Sequence, residues 1–287
     1  MNNILSLRGV TKRFPAFALK DVSFDLPEGF VMGLVGKNGA GKTTIIKAIL
    51  NMLFIDGGSI AVFGQDHLST EREIKMRLGV VMDYTFFVED WTLIGVERAI
   101  APFYPAWDNE TYRKLLKKFL LNPKSKVKEL SRGMKMKLTA AVALSHGADL
   151  LILDEPTSGL DPVARDELLE VLRDYISGGN RSILFSTHIT SDLEKIADYI
   201  TLIDDGKILA SQPTDDFLGK YFVVKGGLGI LMEEHKKLLI GYREHSVGFD
   251  GLIERTLLPS LPPSVVAEPG NLDEIIIRLA GRRIDNE

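Results

Sequence analysis

The sequence predicts an α/β fold built on a parallel sheet with helices on both faces. Short runs with an apolar centre, such as residues 150–155 (LLILDE) and 182–188 (SILFSTH), alternate with segments of helical periodicity such as residues 162–176. Strands that are apolar along their whole length are typical of parallel sheets buried on both faces. A glycine-rich stretch at residues 36–44 (GKNGAGKTT) also lies between an apolar strand and a helical pattern, as in a strand–loop–helix unit.

The first half of the chain begins with strands and then turns helical. Strands are predicted at residues 4–10, 19–26, 30–35, 59–64 and 78–82. From about residue 93 to residue 144 helical periodicity dominates, and Asp108 and Asn109 offer a cap for one of its helices. That helix is predicted to carry an apolar face made of Tyr112, Leu115, Leu116, Phe119 and Leu120.

The last part of the chain changes character. Parallel α/β signals continue to a strand at residues 199–204, and after about residue 212 they give way to short strand-like runs and a Pro-rich stretch. We therefore predict two domains, residues 1–212 and a small α+β domain at residues 213–287. The second ends in a short helix with one apolar face, formed by Leu272, Ile275, Ile276 and Leu279.

The glycine-rich loop has the spacing G-x-x-x-x-G-K-T, which is typical of a polyphosphate site. Glycine lets the backbone approach an anion closely, and the following helix directs free N–H groups and its positive dipole end at the charge. Lys42 is predicted to reach the β- and γ-phosphates, and the Thr43 hydroxyl to bind Mg²⁺. The alternative is a turn that only connects two elements. The predicted nucleotide-binding residues of this loop are Gly36, Lys37, Asn38, Gly39, Ala40, Gly41, Lys42, Thr43 and Thr44.

Two further strand ends carry groups suited to a metal ion and an attacking water. Asp154 ends an apolar strand and offers the hard oxygen ligand that Mg²⁺ prefers. Glu155 follows directly and is predicted to be the general base. His188 ends another strand, where an imidazole can hydrogen-bond a γ-phosphate oxygen. Solvated acids and a structural histidine are the alternatives.

Residues 129–138 (ELSRGMKMKL) contain a second helix start suited to a phosphate, marked by Ser131 and Gly133. The chain already supplies a full set of groups for one nucleotide phosphate. A second such helix start is useful if it serves the nucleotide of another copy.

Composition limits the other function classes. The net charge of −4 and the pI of about 5.8 give no general reason to expect nucleic-acid binding. The chain has no cysteine, which fits a reducing compartment and excludes thiol catalysis. The first residues lack the charged and apolar regions of a signal peptide, and no apolar run approaches the roughly 20 residues that span a bilayer. A soluble, cytoplasmic chain is expected, and a membrane role requires another polypeptide.

Taken in order, these motifs resemble those of the ATP-binding subunits of ABC transporters. The resemblance covers residues 1 to about 212. The matching segments are residues 36–44 (the Walker A loop), 130–134 (the signature), 150–155 (the Walker B strand with its catalytic glutamate), 158–161 (the D-loop) and His188 (the switch histidine).

The resemblance implies a P-loop NTPase core with an antiparallel β subdomain and a helical signature subdomain at about residues 93–144, followed by the C-terminal α+β appendage. It also implies an ATPase that uses ATP and Mg²⁺. Two ATP-binding subunits, as a homodimer or a paralogous heterodimer, are then expected to close head to tail around two ATP molecules. Separate transmembrane permease subunits are then expected to receive the movement of the two closing ATP-binding subunits. The implied location is the cytoplasm, peripheral on the inner face of the cell membrane.

The resemblance also places an aromatic side chain on the adenine. Residues 11–14 (TKRF) match the aromatic loop of the family, with Phe14 as the stacking residue and Phe17 as the alternative. An ordinary core aromatic is a third possibility for either position.

Three departures from the family pattern stand out. Met134 replaces the usual signature glutamine, and its thioether cannot replace the glutamine's hydrogen bonds. Asp83 stands where the Q-loop glutamine is common, and we expect it to touch the Mg²⁺ shell and to relay closure to the adjoining residues 84–91 (YTFFVEDW). An exposed surface carboxylate is the alternative. Phe86, Phe87 and Trp91 are expected to form part of a surface for the membrane partner. The tail after residue 212 matches no assignable motif.

Residues 104–107 (YPAW), the signature and Asp83 are similar to those of bacterial exporter ATPases that move amphipathic peptides such as phenol-soluble modulins or bacteriocins. A non-transport ABC ATPase or a regulatory nucleotide-binding module is the alternative function. Glu155 and His188 favour turnover over a purely regulatory role.

Overall fold

The computed structural model describes residues 2–82 and 84–281, so Asp83, the predicted Q-loop residue, lies outside the described residues. Contacts divide the chain into two compact units. The first comprises the chain up to His188 together with Lys195–Ser211, and the second comprises Ile189–Glu194 together with the chain from Gln212 onward.

The described residues form fourteen strands, ten α-helices and three short 3₁₀ helices. The strands are β1 (Asn3–Phe14), β2 (Phe17–Pro27), β3 (Val31–Val35), β4 (Gly57–Val62), β5 (Gln65–Asp66), β6 (Leu78–Val81), β7 (Leu150–Asp154), β8 (Ser182–Thr187), β9 (Tyr199–Asp204), β10 (Lys207–Pro213), β11 (Tyr221–Gly226), β12 (Ile240–His245), β13 (Gly248–Glu254) and β14 (Val266–Pro269). The α-helices are α1 (Lys42–Ile49), α2 (Glu71–Arg77), α3 (Leu93–Ile100), α4 (Asn109–Lys118), α5 (Arg132–Ser145), α6 (Pro162–Ile176), α7 (Thr190–Ile196), α8 (Thr214–Lys220), α9 (Glu233–Lys236) and α10 (Leu272–Gly281). The 3₁₀ helices are Ala101–Phe103, Val127–Glu129 and Arg255–Ser260.

The first unit contains a four-stranded sheet with the order β2-β1-β4-β5. Strand β1 pairs antiparallel with both β2 and β4. Its residues Leu5, Leu7 and Val10 are buried, and they belong to the same hydrophobic cluster as Leu34 of β3 and Ile45 of α1. The antiparallel sheet is therefore packed onto the strand–helix unit that holds the glycine-rich loop.

The second sheet of this unit has six strands in the order β10-β9-β3-β8-β7-β6. Strands β3, β9, β8, β7 and β6 run parallel in each pairing described. Every residue of β3, β7 and β8 is buried, as expected for strands with helices on both faces. The fold class predicted from the sequence, an α/β P-loop core with an antiparallel subdomain and a helical subdomain, is confirmed.

Helices α3, α4 and α5 form the helical part of this unit. Asp108 caps α4 by accepting hydrogen bonds from the backbone N–H groups of Glu110 and Thr111. The predicted apolar face is largely correct, because Tyr112, Leu115, Leu116 and Phe119 are buried. The buried Tyr112 hydroxyl donates to the carbonyl oxygen of Leu93 at 2.9 Å, which ties α4 to α3.

The prediction for Leu120 is wrong. Helix α4 ends at Lys118, and Leu120 adopts a φ of 56° with 83% of its surface exposed. The turn of the backbone out of the helix carries this side chain away from the face that the helical spacing assigned to it.

The second unit contains a four-stranded sheet in the order β12-β13-β11-β14, with antiparallel pairing throughout. Helix α10 buries Leu272, Ile275 and Ile276, while Leu279 is only half-buried. Asp250 of β13 accepts a hydrogen bond from the Arg278 guanidinium at 2.6 Å, which fastens α10 to this sheet.

No helix in residues 2–82 and 84–281 is both long enough and apolar enough to cross a membrane.

Candidate functional site

The glycine-rich loop joins the end of β3 to the first turn of α1. Gly39 and Gly41 have φ values of 82° and 116°, a region that residues with a side chain rarely adopt. A Cβ atom on Gly36 would lie 2.3 Å from the carbonyl oxygen of Ile203, so this position admits only glycine. The crown of the loop, residues 37–39, is exposed, whereas Ala40 is buried. The crown of the loop is therefore open to solvent, while the residue that follows it is packed.

Lys42, the first residue of α1, lies beneath this loop. It is 6% exposed, and its ammonium group donates a hydrogen bond to the carbonyl oxygen of Gly36 at 2.8 Å. The same ammonium is 3.4 Å from the carboxylate of Glu155. The lysine charge is thus held at the loop with a carboxylate beside it.

Thr43 and Asp154 meet directly. The Thr43 hydroxyl donates to one carboxylate oxygen of Asp154 at 2.8 Å, and the hydroxyl of Ser186 donates to the other at 3.0 Å. Asp154 is 2% exposed, so its charge depends on such partners. Ser186 is absent from the residues predicted from the sequence. The signal for Ser186 in the sequence was a polar residue directly after the apolar stretch 183–185, near the end of a predicted strand.

Glu155 and His188 form a second pair at the same edge of the sheet. The Nδ1 atom of His188 is 2.8 Å from a carboxylate oxygen of Glu155. Glu155 has a φ of 53°, and its backbone N–H donates to the carbonyl oxygen of Ser186 at 2.9 Å. This left-handed backbone is unfavourable for a residue with a side chain and turns the chain sharply after Asp154.

The sheet order explains why these distant residues meet. Strand β8 lies between β3 and β7, and all three run parallel. Their carboxyl ends therefore share one edge of the sheet, which is where ligands bind in parallel α/β sheets.

Ser131 and Gly133 lie in a different cluster. Ser131 caps α5, and its hydroxyl accepts a hydrogen bond from the Met134 N–H at 3.3 Å. A Cβ atom on Gly133 would be 3.0 Å from Leu160 and 3.5 Å from the carbonyl oxygen of Gly159. The contacts described for this helix start are thus with the turn at residues 157–161, and none reaches residues 36–44.

The aromatic pair Phe14 and Phe17 flanks the hairpin between β1 and β2. The two rings are stacked at 6.3 Å between centroids with 29° between planes. Phe14 is 40% exposed, whereas the Phe17 ring tip would lie 2.9 Å from a Cβ atom on Gly41. Phe17 therefore packs against the glycine-rich loop, and Phe14 presents the more exposed ring. Which of the two stacks on a base remains a prediction.

A groove of about 560 Å³ lies in the same unit, lined largely by apolar side chains. Phe86 and Trp91 contribute to it with 73% and 39% of their surfaces exposed. His146, at the end of α5, lines it as well and stacks on Tyr104 with 4.2 Å between ring centroids. Burial lowers the pKa of His146 from 6.5 to about 4.

The residues at the strand edge fit a magnesium–triphosphate ligand. A backbone cradle that only glycine can form precedes a buried lysine, and the Thr43 hydroxyl and Asp154 carboxylate form an all-oxygen donor pair. Among the described residues, no group of three or more His, Asp or Glu side chains could hold a metal ion. A small set of protein ligands is what Mg²⁺ uses when phosphates and water complete its shell.

The fold and this site define a P-loop nucleoside triphosphatase. A family model described as "ABC transporter" matches residues 19–158. The chain is 36% identical over 213 residues to the Nod factor export ATP-binding protein I of Burkholderia lata. The aligned region covers 72% of this chain and 69% of the relative. It is 29% identical over 263 residues to the bacitracin transport ATP-binding protein BcrA of Bacillus licheniformis, covering 88% of this chain and 85% of the relative. A solved structure of an ATP-binding subunit of an ABC transporter superposes with a TM-score of 0.68 at 28% identity, covering 75% of this chain and 91% of that one.

The chain belongs to the ABC transporter family, as an ATP-binding protein, and it is an ATPase. The family resemblance stated from the sequence motifs is confirmed. The similarity to BcrA covers 88% of the chain and so extends beyond residue 212, where the sequence motifs ended.

Proposed function

We propose that the chain drives export by closing with a second ATP-binding subunit around two ATP molecules. The observation that carries this is the separation of two groups of residues within one chain. Lys42, Thr43, Asp154 and Glu155 converge at one sheet edge, while Ser131 contacts neither the loop nor this edge in the contacts described. A head-to-tail pair places the Ser131 of one copy over the loop of the other.

Within each composite site, the chain's own residues have distinct tasks. The backbone of residues 36–44 and Lys42 bind the phosphates, and Thr43 and Asp154 hold Mg²⁺, which supplies charge neutralisation when bound. Glu155 accepts the proton of the attacking water, and His188 orients the Glu155 carboxylate through their 2.8 Å contact. Phe14 stacks on the adenine. Asp83 keeps its predicted Q-loop role beside the Mg²⁺ shell.

The resting contact between Lys42 and Glu155 supports this assignment. Their 3.4 Å ion pair keeps the Lys42 ammonium and the Glu155 carboxylate, the proposed base, close enough to act on the same bound phosphate and water. Bound phosphate offers Lys42 a stronger anionic partner, which frees Glu155 to act on water.

A separate transmembrane permease subunit is the proposed membrane partner. The apolar groove with Phe86, Phe87 and Trp91 at its wall is the proposed receiving surface, because exposed aromatic side chains around a concave surface favour a protein partner. The chain would then lie on the inner face of the cell membrane. A relative named for Nod factor export supports the direction of transport. The chain from about residue 213 is proposed to be a small accessory domain.

A complementation experiment tests the shared sites. Ser131→Arg places a bulky cation at the helix start that caps the opposing phosphate, and Lys42→Ala removes the lysine of the loop. Each variant alone should lose ATPase activity. A mixed dimer retains one intact composite site, so an equal mixture should recover up to about a quarter of wild-type activity when half the dimers are mixed.

The controls are mixtures of each variant with itself, which should stay inactive. Full activity of Ser131→Arg alone would refute shared sites. Co-purification of the tagged chain from a detergent extract tests the permease, and recovery with no membrane protein would count against the transport assignment.

A further inference from the structure

We infer that Glu194 is a positioning residue for His188, and that through it the second unit helps to set the rate of ATP hydrolysis. The inference rests on the role proposed above for His188 and Glu155, and it gives the chain beyond residue 212 a part in the reaction. The chain leaves the first unit directly after His188. Contacts assign Ile189–Glu194 to the second unit, and the first unit resumes at Lys195.

Helix α7, which begins at Thr190, is bonded to the first turn of α10 at two points. The Glu194 carboxylate accepts a hydrogen bond from the backbone N–H of Leu272 at 2.9 Å. The Thr190 hydroxyl donates to the carboxylate of Asp273 at 3.2 Å. The second unit therefore holds the stretch of backbone that directly follows His188.

The contact of Glu194 joins complementary groups. The first N–H groups of a helix have no partner inside that helix. At the start of α10 the Asn271 side chain accepts from the Glu274 N–H at 2.8 Å, and Glu194 takes the N–H of Leu272. The positive end of the helix dipole also favours a carboxylate at this place. Glu194 thus satisfies a backbone donor of α10 and adds a favourable charge.

Helix α10 is itself fixed within the second unit. Leu272 and Ile275 are fully buried, and the Arg278 guanidinium donates to Asp250 of β13 at 2.6 Å. The helix is therefore anchored by apolar packing and by a charged pair, so it can hold α7 in a defined position. A shift of α10 is passed to the residues after His188 through the bonds of Glu194 and Thr190.

The backbone at His188 matters for the proposed base. Its Nδ1 atom is 2.8 Å from a carboxylate oxygen of Glu155, and its backbone N–H donates to the same oxygen at 3.4 Å. Both contacts change if the chain at residues 188–190 moves. An α7 that is held less firmly should therefore orient the Glu155 carboxylate less well, while the phosphate loop stays as it is.

Steady-state ATP hydrolysis by the full chain tests this role. Glu194→Ala removes the acceptor for the Leu272 N–H and should lower kcat about fivefold, the effect of one hydrogen bond. KM for ATP should change less than about twofold, because the phosphate loop is untouched. Glu194→Gln retains an oxygen acceptor and should restore kcat to within about twofold of wild type. Glu268→Ala is the matched control, since this acid of the same unit pairs with Lys225 at 3.0 Å on the sheet, and it should leave kcat unchanged.

A second background separates positioning from a general loss of structure. Glu194 acts through His188, so adding Glu194→Ala to His188→Ala should lower the residual rate less than about twofold in single-turnover hydrolysis of radiolabelled ATP. Urea denaturation checks that each variant is folded. Thr190→Val removes the other bond between α7 and α10 at nearly constant side-chain size, and should also lower kcat with KM unchanged.

Two results would overturn the inference and leave the role of His188 intact. One is a wild-type kcat in both Glu194→Ala and Thr190→Val, and the other is the same fivefold loss with and without His188. A wild-type rate in His188→Ala would instead overturn the proposed role of His188, and the inference with it.

Discussion

Replacing Glu155 with glutamine separates chemistry from binding. The substitution removes the negative charge of the proposed general base and preserves the size and shape of the side chain. The amide oxygen of the new glutamine can still accept from His188, whose Nδ1 atom is 2.8 Å from the Glu155 carboxylate, and Lys42 keeps its 2.8 Å bond to the Gly36 carbonyl. The phosphate cradle should therefore survive the change.

The size of the effect follows from the role of the carboxylate. A positioned general base contributes about 10²–10⁴ to the rate, so hydrolysis should fall by that factor, or roughly 3–5 kcal/mol in the activation barrier. Loss of the 3.4 Å ion pair with the nearly buried Lys42 should lower the free energy of unfolding by about 1–3 kcal/mol. That stability cost leaves the protein folded, since a domain of ordinary stability exceeds it.

Phosphate release measures the rate, equilibrium dialysis measures ATP affinity, and urea denaturation measures stability. Glu167→Gln is the matched control, because Glu167 also pairs with a lysine, Lys137, at 3.0 Å but lies in α6 away from the loop. The control should hydrolyse ATP at close to the wild-type rate. A Glu155→Gln protein that hydrolyses at the wild-type rate would remove Glu155 from the mechanism.

Two further predictions concern the helical part of the first unit. Leu116→Ala should lower the free energy of unfolding by about 2–5 kcal/mol because Leu116 is 1% exposed, whereas Leu120→Ala should change it by less than about 0.5 kcal/mol because Leu120 is 83% exposed. Equal losses in urea denaturation would contradict this packing. Burial lowers the pKa of His146 from 6.5 to about 4, so the unfolded chain gains a proton first as the pH falls. The free energy of unfolding should therefore fall by about 2 kcal/mol between about pH 7 and pH 5 because of His146. In His146→Phe the free energy of unfolding should lose this part of its pH dependence. An unchanged pH dependence would show that another group is responsible.

Local sequence signals predicted much of the fold. Helix α6 begins at Pro162 and ends at Ile176, as predicted, because Asp161 accepts hydrogen bonds from the Val163 and Ala164 N–H groups and proline suits the first helical turn. The spacing of residues 36–44 likewise predicted the strand–loop–helix unit. Each of these features is encoded within a few residues.

Features that depend on tertiary contacts were harder to predict. Leu120 has helical spacing, yet the chain leaves the helix just before it. The interaction of Ser186 with Asp154 depends on strands β8 and β7 being neighbours, and spacing along the chain carries no direct information about that order. Phe14 and Phe17 have equal aromatic character, and only packing against Gly41 distinguishes them.

Strand β8 joins the two halves of the parallel sheet, since it is inserted between β3 and β7 although it is synthesised after both. A nascent chain that has emerged only to Asp154 holds the glycine-rich loop and the acidic strand end, but no strand joins them. Ligands stabilise the form of a protein that they bind, and the contact between Glu155 and His188 exists only after residue 188 has left the ribosome, so the complete ATP site forms late in synthesis. Until then β3 has neither of its sheet neighbours, since β9 follows β8 in the chain, and β7 exposes an unpaired edge, which favours aggregation.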